Sequence, residues 1–469
     1  GRYRPRILIA MRKKEIVMKK LLSILLLPLL FVSCSEDFTV LGPISERNVV
    51  NYYKTQSDFE VAINGAFDAL QSNGTFGVKY VLFMEMRADN TANGGGATGL
   101  AETLEDIDTF GEIPTAGELN DAWVASYDGI ARTNAIISRI DEITFTSDEV
   151  KNRIKGEALF VRSLLYYHLG VIFGNVPLIT AEVTAPQNMS LNQVSASEVM
   201  TQIATDLTTA EGLLPSTGRV SSGAAAALLG RVYLQAGDKA SSVAPLKRVV
   251  SSNVYSLEAN YADVWGPGNE GSSEILFQIE YMSGNIGEGS SYTDMFTASG
   301  VAGGVGGGTA PQTVTQDFID SYEAGDLRQA ATLSDSATVE KYEDTPTAPF
   351  DSDVNWVEIR YAEVLLNLAE AVGESAEGYG YINQVRARAG LAAIDGTTPG
   401  SYDDKLLHER RVELAFENKR WPDLLRYGKA KSVMASQLGI AEASVTLLFP
   451  IPQSQIDVAP DEMSQNAEH

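Results

Sequence analysis

The amino-acid sequence predicts a mostly α-helical protein: helical hairpins stacked into an α-α superhelix, long irregular loops between them, and a few short strands. Three observations predict it. Through much of residues 56–255, and again from 356 onward, apolar side chains recur three and four positions apart, the period of one helix face. Small residues fill one helix of a pair centred on Gly237, as close helix packing requires. Segments too rich in glycine to hold a helix interrupt this pattern at 87–100 and 283–312.

The elements follow in order. In "QSDFEVAINGAFDALQSN", Phe59, Ile63, Phe67 and Leu70 share a face, and Ser57-Asp58 is expected to cap the start. "ELNDAWVASYDGIARTNAIISRIDEI" repeats the pattern with Trp123, Tyr127, Ile130, Ile137 and Ile140. "GEALFVRSLLYYHLGVIFG" follows with Leu159, Leu165, Tyr166 and Leu169, and Pro177 closes it. "GAAAALLGRVYLQAGDKASSVAPLKRVVSS" resembles a tetratricopeptide hairpin, with Gly237-Asp238 as its turn and Ala240 opening the second helix. "IRYAEVLLNLAEAVG" and "YGYINQVRARAGL" make a second such pair, without a strict 34-residue period. Between the pairs, "SEILFQIEY" reads as a strand. The stretches "RADNTANGGGATGL", "SGNIGEGSS" and "ASGVAGGVGGGTAPQ" are long loops, which inside a compact unit usually carry function.

Composition excludes several functions. The 469 residues carry a net charge of −25, and residues 1–33 hold eight Lys/Arg against one Glu, so the remainder carries −32. Such a chain repels phosphate backbones, and nucleic acid is not an expected partner. One cysteine allows no internal disulfide and no multi-cysteine metal site. Gly94, Gly96 and Gly99 match a dinucleotide fingerprint in spacing, but no strand precedes them. "DSDVNW" begins like a calcium loop, yet Trp356 takes the glycine position and Ala362 that of the bidentate acid. The three histidines, 168, 408 and 469, are scattered. No nucleophile elbow or P-loop is present, so no catalytic residue, cofactor or metal is assigned; a calcium ion among the acidic loops stays open. Of the tryptophans, Trp123, Trp356 and Trp421 read as core, and Trp265 is ambiguous.

The first residues read as a targeting segment. Lys19 and Lys20 follow Met18, and an apolar run extends from Leu21 to Val32, too short to span a membrane. Ser33-Cys34 at its end resembles a bacterial lipobox, whose cysteine becomes the lipidated N-terminus. Ser35-Glu36-Asp37 resembles an acidic surface-export signal. Residues 1–17 read as an upstream extension, with Met18 the expected start.

Several blocks in a fixed order resemble the SusD/RagB family of nutrient-binding outer-membrane lipoproteins. They are "GEALFVRSLLYYHLGVIFGNVPLI", "AAALLGRVYLQAGDKASSV", "WVEIRYAEVLLNLAEA", "INQVRARAGL", "ERRVELAFENKRWPDLLRYGKA" and the closing "LFPIPQSQIDVAPDEMSQN". Ala459 and Ala467 depart from the closing segment, where Asn and Pro are expected.

The resemblance implies a scaffold of tetratricopeptide-like hairpins with ligand loops, seated on a SusC-like TonB-dependent transporter. It implies no covalent chemistry. The ligand is an oligosaccharide, or in some members a peptide; a surface glycoside hydrolase and a purely structural adaptor are the weaker alternatives. Expected divisions are a signal over 1–33, a lipidated tether over 34–45, a helical region over 46–255 and a C-terminal region over 256–469. The last two would form one compact unit. Cys34 is the expected lipid attachment, on the outer membrane and facing the cell exterior. Carried over by region, Arg87, Asp89 and Asn90 are the polar ligand contacts and Tyr281, Tyr292 and Phe296 the stacking ones.

Overall fold

A computed structural model describes residues 52–93, 100–185, 189–297, 312–335 and 338–469. The lipobox with Cys34, the export triplet, Gly94, Gly96, Gly99 and most of the glycine-rich stretch 298–312 lie outside these residues.

Helix α1 (Gln56–Gln71) is capped by Thr55, two residues before the expected Ser57-Asp58. Thr55 accepts from the Asp58 backbone N–H, and the Asp58 carboxylate accepts from Thr55. This reciprocal arrangement satisfies two donors that a helix start leaves open. Phe59, Ile63 and Leu70 are buried as their spacing predicts. Helix α2 (Gly117–Arg139) packs on α1, and α3 (Asp148–Phe173) packs on both. Because α4 (Ala196–Leu213) covers a further side, α3 is buried all round from Gly156 to Phe173. Its apolar pattern is therefore broader than one stripe.

The stack continues through α5 (Ser222–Gln235) and α6 (Lys239–Ser251). Gly237 takes φ 80° at the turn, and Asp238 caps α6 through the Ser241 N–H. The small residues do what they predict. A Cβ at Gly230 would lie 2.4 Å from Leu246, so glycine sets how closely the two helices approach. Helix α7 (Tyr361–Val372) then packs on α6, followed by α8 (Ala376–Arg388) and α9 (Tyr402–Glu413). The product is a mostly helical superhelix with short strands, within the compact unit Thr55–His469.

The expected strand is β1 (Ile275–Ile279), and it pairs antiparallel with β2 (Trp356–Arg360). Sequence reading merges β2 into the helical block after it. All five β2 residues are buried, Glu358 and Arg360 included, because both charges are paired in the interior. In a second ladder Thr91–Asn93 pairs antiparallel with Gln312–Val314. It ties the two glycine-rich regions side by side.

Beneath β2 lies a dense set of buried ion pairs. Arg360 reaches Glu274 at 2.7 Å, Glu413 at 2.6 Å and Glu417 at 2.7 Å. Arg328 holds Asp326 at 2.7 Å and Glu409 at 2.5 Å, and Arg231 holds Glu363 at 2.7 Å and also pairs with Glu358. Each carboxylate meets a guanidinium fork, which is how charges survive burial. All four tryptophans are buried, including Trp265, whose ring lies 4.3 Å from the Lys341 ammonium.

Candidate functional site

The six residues assigned by region to ligand contact turn inward. Arg87 is fully buried, donating to the Thr446 carbonyl at 3.0 Å and its hydroxyl at 2.7 Å, and pairing with Glu112. The rings of Phe449 and Phe110 flank its guanidinium at 4.0 and 4.4 Å. Asp89 is gripped by Arg420 at 2.6 and 2.7 Å and by Arg411 at 3.1 Å. Burial raises its carboxyl pKa, but the two arginines outweigh this and hold it below the usual carboxylate value. Asn90 accepts from Arg411 at 2.9 Å. Tyr292 donates to the Phe76 carbonyl and meets Tyr281 hydroxyl to hydroxyl at 3.2 Å; Phe296 packs against Tyr342.

None of the six presents a usable face to solvent; the most exposed, Tyr281, reaches 9%. Their assignment as ligand contacts is corrected on that ground: their side chains are committed to interior partners. The reason is distance in sequence. Arg411, Arg420 and Thr446 arrive from the far end of the chain to satisfy 87–90, and no local pattern announces them.

A cleft of about 510 Å³ opens between the end of α1 and the loop after β1. One side is the end of α1 and the turn after it, with Gln71, Asn73, Gly77, Val78 and Lys79. A π-helical turn, Leu82–Met86, brings Leu82 to the cleft while sending Glu85 into the interior. Such widened turns recur at functional sites. The other side is the loop after β1, with Asn285, Gly287, Gly289, Ser291 and Met295, together with Pro349, Phe350 and Asp351.

The second side is held by carboxylates that accept backbone N–H groups. Asp351 accepts from Gly284 and Asn285, both at 2.9 Å, and Asp353 from Ser283 at 2.7 Å. Buried Asp294 accepts from the Phe350 N–H at 2.7 Å. Phe350 sits at φ 55°, a left-handed backbone that bulky residues rarely adopt, yet its side chain is 43% exposed at the rim. Strain of this kind persists only where the surroundings impose it, and it gathers at binding sites. At Gly289 a Cβ would fall 2.5 Å from the Asp351 Cα, so the loop closes down only with glycine there.

The cleft thus offers one exposed aromatic ring, the amides of Asn73 and Asn285, and the ammonium of Lys79. An apolar face with a few fixed polar groups suits a small polar ligand that stacks. The loop after β1 lines this cleft, but with side chains other than those assigned from the sequence. The available signal was "APFDSD", an aromatic between a proline and a run of acids, weighed only as a calcium loop. Among the described residues no group of three or more His, Cys, Asp or Glu is placed to hold a metal ion, and no helix is long and apolar enough to cross a membrane.

Comparison with known proteins fits this geometry. The model described as "SusD family" matches residues 338–469, and the one described as "Starch-binding associating with outer membrane" matches 84–234. The chain belongs to the SusD/RagB family. It is 27% identical to SusD-like protein P2 of Formosa agariphila, across 93% of this chain and 96% of that protein. Among solved SusD-type structures, a laminarin-binding SusD-like protein is 27% identical, with a TM-score of 0.76 over 89% of this chain and all of the other. Surface glycan-binding protein A from Bacteroides thetaiotaomicron, solved with laminarihexaose, shares the fold at 22% identity and a TM-score of 0.73, again over 89% of this chain and all of that one.

Proposed function

We propose that the protein captures a carbohydrate in the cleft between the end of α1 and the loop 282–295, without covalent chemistry. The observation that carries this reading is Phe350. A strained backbone and a buried acid together hold an aromatic ring out at the cleft rim, where a sugar face can stack. The laminarin ligand of the 27%-identical relative supports the ligand class.

The rest of the proposal follows from family membership and the sequence. The chain is a lipoprotein, anchored through Cys34 on the outer face of the outer membrane. It passes its ligand to a SusC-like TonB-dependent transporter. Residues 46–255 and 256–469 act as two regions of one scaffold, since α6 and α7 pack across their boundary.

The test is calorimetry of the chain from Ser35 onward against panels of oligosaccharides and of peptides. Heat with an oligosaccharide, reduced in Phe350→Ala, is the expected result. Heat with peptides alone would replace the carbohydrate by a peptide ligand, and an undiminished Phe350→Ala signal would move the site elsewhere.

A further inference from the structure

We propose that the saccharide taken by this cleft carries an anionic group, a carboxylate or a sulfate, and that Lys79 selects it. The inference rests on the capture reading above and names the class of sugar.

Lys79 opens the short helix Lys79–Val81, and its backbone N–H is tied to the Asn73 carbonyl at 3.0 Å, which fixes the stem on the cleft wall. Its side chain is only 13% exposed, yet its ammonium makes no hydrogen bond to any described residue. The nearest counter-charge is Asp121 at 4.0 Å, itself 60% exposed. A pair that long and that wet contributes little. The other shielded lysines of this acidic chain are better served. Lys341 bonds the Ala415 carbonyl at 2.7 Å and Glu417 at 2.6 Å, and Lys419 meets Glu358 at 3.3 Å. Lys79 stands apart as a cation with room for a partner.

The surrounding charges leave that room to an anion. Asp351 is the one carboxylate among the described residues lining the cleft, and one of its oxygens already accepts two backbone N–H groups. Asn73 and Asn285 add neutral donors on either side, with side chains that make no other hydrogen bond to described residues. The negative charge elsewhere on the chain is screened beyond about 8 Å at physiological salt. A lysine in this setting acts as a point charge, which suits a carboxylate or a sulfate equally.

The experiment titrates the chain from Ser35 onward with three probes: laminarihexaose, an oligogalacturonate and a sulfated galactan oligosaccharide. Each is run at low and at physiological salt. The expected result is binding of one or both acidic probes at least tenfold tighter than the neutral one, weakening as salt rises. Lys79→Gln should remove that preference and Lys79→Arg keep it, with melting temperatures near the parent. The arm that binds distinguishes carboxylate from sulfate. Neutral and acidic probes binding alike, or an acidic preference unchanged in Lys79→Gln, would overturn the inference and leave capture standing. Silence from all three probes would overturn it as well. A peptide-only response in the panel of the preceding section would overturn the capture reading too.

Discussion

Arg420 holds Asp89 in a two-pronged grip, 2.6 Å to one carboxylate oxygen and 2.7 Å to the other, across 331 positions of sequence. The pair joins the turn after the π-helical segment to α10 (Arg420–Arg426). Removing one member of a buried pair leaves the other charge unsatisfied and costs about 3–5 kcal/mol. Asp89→Asn should therefore lower the urea midpoint substantially, whether or not a ligand is present. A ligand contact would behave differently, losing affinity at unchanged stability.

Glu85 gives a pH signature. Burial lifts its carboxyl to about 8 from the ordinary 4.5, against a weaker pull from the Asn418 N–H and Lys341. Between those values the folded chain holds a proton that the unfolded chain has released. The stability tied to this proton is thus full below about 4.5 and is lost as pH rises toward 8. Gln mimics the protonated acid and still accepts from Asn418. Glu85→Gln should gain on the parent by roughly 1 kcal/mol per pH unit between 5 and 8, and hold that lead above 8. Urea titrations at three pH values check it; a constant gap would refute it.

His168 titrates in the opposite sense. Burial pulls its pKa from 6.5 down to about 3, despite Glu358 nearby. The folded chain refuses a proton that the unfolded chain accepts, so stability is intact above 6.5 and falls as pH drops from 6.5 toward 3. His168→Phe should flatten this acid limb of the melting-temperature curve, whatever it does to packing at neutral pH.

Gly230 tests the hairpin. Its missing Cβ would sit 2.4 Å from two Leu246 carbons. Overpacking of this kind costs about 1–3 kcal/mol. Gly230→Ala should destabilise accordingly, and adding Leu246→Val should recover part of the loss in the same denaturation assay.

Phe350 separates binding from folding. Phe350→Ala should weaken oligosaccharide binding several-fold, the scale of one aromatic contact, with little change in melting temperature. Phe350→Gly should lose the same affinity while folding at least as well as Phe350→Ala, because glycine accepts a backbone at φ 55° without strain. Calorimetry and melting curves on both variants decide.

The helical scaffold was legible because its signals are local. Phe59, Ile63 and Leu70 lie one and two turns apart on one face, and Gly237-Asp238 marks its own turn. Trp356–Arg360 was not legible, since it runs without a break into the helix Tyr361–Val372 and its two charges are buried in ion pairs. The candidate site was half legible. Of the glycine-rich stretches only 283–291 lines the cleft among the described residues, and the Thr91–Val314 ladder takes no part in it. The side chains were misassigned because Arg, Asp and Asn look alike in sequence whether they face a sugar or a distant arginine. Phe350 escaped notice because its exposure depends on Asp294, a residue 56 positions away.

The packing of α7 on α6 bears on how the chain reaches its native state. From α1 to α6 each helix meets the next one described, across connections shorter than that from α6 to α7, so these contacts can form earlier. The α6–α7 contact must wait for the long segment between them, at a loop-closure cost the earlier steps avoid. A chain arrested before Trp356 would hold an assembled stack of helices with one apolar flank of α6 uncovered.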